Sequence, residues 1–266
     1  MIAWSITHFI PAATPPPNVR DDRISMALKT IWVISDTHTR HPDLSIPPAD
    51  AVIHIGDEAN RRDPERNLPQ AESFFGWFSD LPIARKIFVP GNHSAAVEAG
   101  LICRESYPDV TFLIHESTTY GAWRIFGSPY TPRFGEWSYM RKRSDLDEIW
   151  KTIPGHTDWL LTHTPPRGVM DLTTNNDGPG LVQVGCTALW RHVHDRIRPR
   201  LHAFGHLHDE KHIQNYGRFS KGRTHYLNAA ICDRYARPKH QGWLVSLDDD
   251  DPTAEVRFEN LDERSG

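Results

Sequence analysis

Five short stretches of the chain concentrate side chains able to hold cations. They are Ser35-Asp36-Thr37-His38, Gly56-Asp57-Glu58, Pro90-Gly91-Asn92-His93, Thr162-His163-Thr164 and Gly205-His206-Leu207-His208. Asp36, His38, Asp57, Asn92, His163, His206 and His208 together supply two carboxylates, one amide and four imidazoles, with no sulfur. A mixed oxygen and nitrogen set of this kind favours Mn, Fe or Zn over Ca. Seven donors exceed what one ion takes. They suit two divalent or trivalent ions sharing a carboxylate at the ~3.5–4 Å spacing of dinuclear hydrolases. Asp36 with His38, and His206 with His208, are alternate residues, which share a face in extended chain. A single histidine after a strand is ordinarily a surface or core residue, and His54, His115, His202 and His240 among others are read that way. Five coincident clusters are not.

The clusters have a common position. Each follows an apolar run of the type that forms a buried strand. Ile31–Ile34, Ala51–Ile55, Lys86–Val89, Trp159–Leu161 and Leu201–Phe204 lead into them in turn. Ligands of α/β sheets gather beyond the carboxyl ends of the strands, so one site is the economical reading. Further strands are expected at Val110–Ile114, Trp123–Phe126, Thr224–Leu227, Trp243–Leu247 and Val256–Phe258. Helices are expected over Gln70–Asp80 and Tyr139–Ile153. A third helix is expected along the stripe Val182, Cys186, Leu189, Val193 and Ile197, whose steps of three and four are helical. These elements make one layered α/β or α+β domain over residues 30–260. Residues 1–29, with Pro15-Pro16-Pro17, read as an extended arm, because consecutive prolines forbid helix. Residues 261–266 read as a tail.

Composition narrows the function. The 266 residues carry a net charge of −4, so no global basic field exists to hold an extended nucleic acid. No apolar run approaches the ~18 residues of a spanning helix, and no membrane association is expected. The three cysteines (Cys103, Cys186 and Cys232) are far apart with no CxxC pair, which excludes a disulfide framework and a thiolate metal site. They point to a reducing, cytoplasmic setting.

The motifs resemble, in order, those of the calcineurin-like metallophosphoesterases: Asp36-x-His38, Gly56-Asp57, Gly91-Asn92-His93, Thr162-His163 and Gly205-His206-x-His208. The resemblance spans about residues 31–247. Gly127-Ser128-Pro129-Tyr130, Thr164-Pro165-Pro166-Arg167-Gly168, Gly185-Cys186 and Leu227-Asn228-Ala229-Ala230 are similar to the small metallophosphoesterase-domain branch related to cyclic-nucleotide phosphodiesterases. The resemblance implies a four-layer α/β (α+β) sandwich of two mixed sheets flanked by helices. It implies Asp36, His38 and His208 on one metal, Asn92, His163 and His206 on the other, Asp57 as the bridge, and His93 as the catalytic histidine. Two departures stand out. Ser94 replaces the acidic residue that commonly follows the catalytic histidine, so another acid must orient the imidazole or acid catalysis weakens. Glu58, directly after the bridge, adds a carboxylate.

The implied activity is a metal-dependent phosphoric ester hydrolase. A hydroxide between the ions would attack small phosphodiesters, cyclic nucleotides among them. Arg133 and Arg167 are the expected substrate contacts, and Tyr130, Phe134 and Trp137 the aromatic groups that could stack a base or pack the rim. The alternatives are a phosphomonoesterase, a protein phosphatase or a nuclease with the same site, and a weakly active nucleotide-binding scaffold. A scaffold is disfavoured because every ligand is intact.

Overall fold

The computed structural model describes residues 28–175, 178–248, 250–251 and 253–265. All but the last two residues of the proline-rich arm lie outside that range. Two six-stranded mixed sheets form the centre. In the first, the strands Lys29–Ile34, Ala51–His54, Arg85–Phe88 and Val110–Phe112 run parallel in sequence order. Trp243–Leu247 adds antiparallel to Lys29–Ile34, and Arg257–Asn260 closes that edge. In the second, Trp123–Ser128, Trp159–Thr162, Leu201–Phe204 and Thr224–Asn228 are parallel neighbours in that spatial order. The antiparallel strands Glu116–Tyr120 and Gly217–Lys221 form its edges.

Strand alternation explains the layers. Successive side chains point to opposite faces. Ile31 and Val33 enter the core between the sheets, where they pack with Ile53, Ile87, Trp159, Leu161 and Leu227. Trp32 and Ile34 face outward with Phe88, under Phe74, Phe75 and Phe78 of the helix Pro64–Asp80. Pro64 opens that helix, and the Asp63 carboxylate caps it by accepting from the Arg66 N–H. On the far face of the second sheet, Leu160 and Phe204 pack with Leu146, Trp150, Leu189 and Ile197.

Three expectations change in detail. Of Tyr139–Ile153 only Leu146–Lys151 is helical, because Met140–Arg141 pairs with Thr131–Pro132 instead. The stripe from Val182 begins in a hairpin strand, Leu181–Gln183, and becomes helical only at Thr187–Arg191, continuing as a wider turn over His192–Ile197. Leu261–Ser265, read as a tail, forms a 3-10 helix whose Leu261 is buried in the outer core. No helix of the described residues is long and apolar enough to cross a membrane.

The two sheets meet at their carboxyl ends. The Ser35 N–H donates to the Ala229 carbonyl and the Ile231 N–H to the Ser35 carbonyl, stitching the first strand of one sheet to the last parallel strand of the other. The loops that leave these ends therefore face one another.

Candidate metal centre

Backbone hydrogen bonds fix the loops before any side chain is considered. The Asp36 N–H donates to the Gly56 carbonyl, His38 N–H to Asp57, and Gly205 N–H to His163. Two glycines permit the close approach. A Cβ at Gly205 would overlap Asp36 Oδ2 and Ser35 Oγ, and one at Gly91 would overlap Asp57 Oδ1. Asp36, His38, Asp57 and His206 all adopt left-handed backbone, with φ of 55°, 45°, 60° and 68°. That conformation is costly for residues with a Cβ and clusters at functional sites.

The side chains converge into three overlapping groups: Asp36, His38 and His208; His38, Asp57 and His93; Asp57, His163 and His206. Within each group the ligand atoms lie within 4.8 Å of one another. Asp57 belongs to two of them. Its Oδ2 lies 3.3 Å from His163 Nε2 and 3.9 Å from His38 Nε2, while its Oδ1 accepts from the His93 N–H at 2.7 Å. Asp36 Oδ1 meets His208 Nε2 at 2.9 Å, and the Asn92 side-chain oxygen meets His163 Nε2 at 3.0 Å. His38 and His208 aim their Nε2 atoms at each other across 3.3 Å. All seven sequence-predicted ligands thus stand in one cluster.

The outer contacts set which nitrogen is offered. The Nδ1 atoms of His38, His163 and His208 lie 3.2, 2.8 and 3.0 Å from the carbonyls of Ala59, Ile55 and Asp233. A carbonyl only accepts, so each Nδ1 carries a proton and each Nε2 faces the cluster, where it would give its lone pair to a metal once deprotonated. Electrostatics show how tightly the groups are pressed together. Burial pushes His206 down to about 3, and burial with the neighbouring His208 pushes His38 down to about 4. Burial also opposes charge on His163, but the Asp57 carboxylate outweighs it and holds that imidazole up at about 9. Burial would raise Asp57, yet His163 and His93 keep it well below the usual carboxylate range. The inward-facing nitrogens and carboxylate oxygens, oxygen- and nitrogen-only and closely spaced, fit hard or borderline divalent cations.

His93 stands beside this cluster. Its ring packs on Trp137 at 4.2 Å, with Arg62 also over the Trp137 ring, and Nδ1 lies 3.1 Å from the Asn60 carbonyl. No carboxylate takes the place of the acid expected at position 94 in orienting His93; Ser94 instead meets Glu58. Ser94 Oγ donates to Glu58 Oε2 at 2.6 Å and accepts from the Gly91 N–H at 2.8 Å. Burial pushes Glu58 up to about 7. The pair braces the turn at residues 92–93, while the imidazole itself is oriented by a carbonyl.

A cleft of about 410 Å³ opens over the cluster, and Phe134, Arg234 and Tyr235 stand on its rim. The two arginines expected at substrate lie elsewhere. Arg133 pairs with Glu136 at 2.7 Å, and Arg167 donates to the Gln183 carbonyl at 2.9 Å. Of the expected aromatics, Tyr130 packs under Arg141 and Trp137 against His93, whereas Phe134 is 61% exposed above His206. Arg234, which sequence reasoning missed, sits in Asp233-Arg234-Tyr235, directly after the run 228–232 that crosses between the sheets.

Comparison with known proteins agrees with this geometry. Residues 29–210 match the family model described as calcineurin-like phosphoesterase. Metallophosphoesterase domain-containing protein 1 of Homo sapiens is 32% identical over 240 residues, covering 80% of this chain and 69% of that protein. A UPF0046 protein of Caenorhabditis elegans is 32% identical over 216 residues, covering 76% of this chain and 69% of that one. The crystal structure of TT1561 of Thermus thermophilus shares the fold with a TM-score of 0.51 at 15% identity, over 88% of this chain and 99% of that one. A metal-dependent phosphoesterase acting on a small phosphoester is the activity class the family match and the relatives support. On its matched domain and its relatives, the chain belongs to the calcineurin-like phosphoesterase family.

Proposed function

We propose that the protein is a dinuclear-metal phosphodiesterase acting on small diesters, cyclic nucleotides among them. The observation that carries this reading is the place of Asp57, whose Oδ2 lies between the inward nitrogens of His38 and His163. In this assignment Asp36, His38 and His208 would hold one ion, Asn92, His163 and His206 the other, and Asp57 would be shared between them. Mn, Fe and Zn suit the donors. Ions held there would neutralise phosphoryl oxygens and draw the pKa of water toward neutrality.

The remaining work falls to the chain. His93, held through Nδ1 by the Asn60 carbonyl, keeps Nε2 for a proton that passes to the leaving oxygen. Arg234, on the rim and paired with Glu210 at 2.9 Å, is placed to meet a non-bridging oxygen, a role its position on the cleft wall supports better than those of Arg133 and Arg167. Phe134 offers an exposed face for a base or another planar leaving group. Among the described residues the cleft wall carries one arginine. That modest charge suits a diester monoanion better than a monoester dianion.

The test is a substrate panel with Mn²⁺ and measured metal content: p-nitrophenyl phosphate, its bis ester, and 2′,3′- and 3′,5′-cyclic nucleotides. Turnover of the bis ester and of a cyclic nucleotide is the expected result. Turnover of the monoester alone overturns the diesterase reading, and no turnover with both sites loaded favours a scaffold.

A further inference from the structure

Tyr235 also lines a second cavity, of about 560 Å³. It shares Arg234 and Tyr235 with the metal cleft, so the two spaces adjoin across that ridge. Its walls come from the residues after His208 and from the segment 233–240. Four cationic side chains line it, Lys211, Arg234, Arg237 and Lys239, against three carboxylates.

The carboxylates are already engaged. Asp233 pairs with Arg237 at 2.7 Å and accepts from the Tyr235 and Arg237 N–H groups. Glu210 accepts from the hydroxyls of Thr173 and Thr174, both at 2.7 Å, and pairs with Arg234 at 2.9 Å. Asp209 accepts from the Asn215 and Tyr216 N–H groups and meets His240 at 3.0 Å. Lys211 and Lys239, by contrast, reach no carboxylate within ion-pair distance among the described residues, and both are exposed. Two ammonium groups are therefore free for an external anion. Tyr235, 69% exposed, has the guanidinium of Arg234 at 5.5 Å and that of Arg237 at 5.0 Å. It divides the metal-facing space from the lysine-lined one.

We propose that this cavity binds a second phosphoryl group of the substrate, held by Lys211 and Lys239, while the ester to be cleaved lies over the metal cluster. The preferred substrates are then phosphoesters carrying two phosphates on one small linker, such as a ribose substituted at both ends. A tetrahedral oxyanion with several acceptor oxygens matches lysines that act as point charges. The inference rests on the phosphoesterase reading of the cleft and adds a recognition element to it.

Calorimetric titration of the Mn²⁺-loaded protein with AMP and with adenosine 3′,5′-bisphosphate tests it without requiring turnover. The bisphosphate is expected to bind about tenfold tighter than AMP, the equivalent of roughly 1.4 kcal/mol. In the double variant Lys211→Ala/Lys239→Ala that ratio should fall to near one, with AMP affinity and melting temperature unchanged. Equal affinities in the wild type, or a ratio that persists in the variant, overturn the second subsite alone. Failure of both ligands to bind also overturns the second subsite, while the cleft reading is decided separately by the substrate panel above.

Discussion

The His93 imidazole is oriented by the Asn60 carbonyl and is not one of the seven assigned ligands, although its charge reaches Asp57. His93→Ala should retain both metals and lose about 10²–10⁴-fold in kcat, the usual worth of a positioned acid. Metal analysis beside steady-state kinetics checks this, and undiminished turnover would remove His93 from the reaction. Ser94 makes a different kind of contribution. Its hydroxyl serves the Gly91 N–H and Glu58 together in a fully buried setting. Ser94→Ala should cost about 1–3 kcal/mol, the penalty for stranding buried polar groups, measured by urea unfolding. The contact between Ser94 and Glu58 was half legible beforehand. Both residues stood out in the chain, but their contact joins loops 36 residues apart and no local pattern encodes it. Arg234 was illegible for the same reason. Arginines beside recognisable motifs drew attention, while the one on the rim arrives through a strand crossing.

Loops, rather than strands, decide whether the donors meet. Gly205 ends the strand Leu201–Phe204 in direct contact with Asp36 and Ser35. Gly205→Ala must push the loop 206–208 away from the first sheet, so bound metal should fall below one ion per chain by elemental analysis while far-UV circular dichroism stays unchanged. The five strand ends were readable because parallel strands buried on both faces are continuous apolar runs, and polar residues following them are conspicuous. The edge strands Glu116–Tyr120 and Gly217–Lys221 were not. They are largely exposed, with polar side chains on both faces, and leave no alternation to detect. The overlong helix expected at Tyr139–Ile153 failed where tertiary pairing of Met140–Arg141 overrode local propensity.

Across the whole molecule, metal binding and folding are linked. Ions that bind only the native state stabilise it by about 2.7 kcal/mol at a hundredfold excess over Kd. EDTA should therefore lower the melting temperature and Mn²⁺ restore it, as followed by scanning calorimetry. A second linkage ties the segment after the last core strand crossing to the C-terminal turn. Burial would depress the His240 pKa, but bonds to Asp209 at 3.0 Å and Asp262 at 2.6 Å raise it above its usual 6.5. A raised folded-state pKa gives stability that is complete below about 6.5 and lost as pH rises through the folded value. Wild type should thus lose more thermal stability than His240→Gln between about pH 6 and about pH 9.

The left-handed backbone at Asp36, His38, Asp57 and His206 carries its own consequence. At His206, with φ of 68°, a glycine would sit at ease where the imidazole is forced, a difference of about 1 kcal/mol per such residue. Stripped of cations, a crippled His206→Gly protein should outlast the wild type on heating, and with cations supplied the ranking should invert. Competence here is held in tension with durability, and heat-resistant variants selected without metal would drift toward silence.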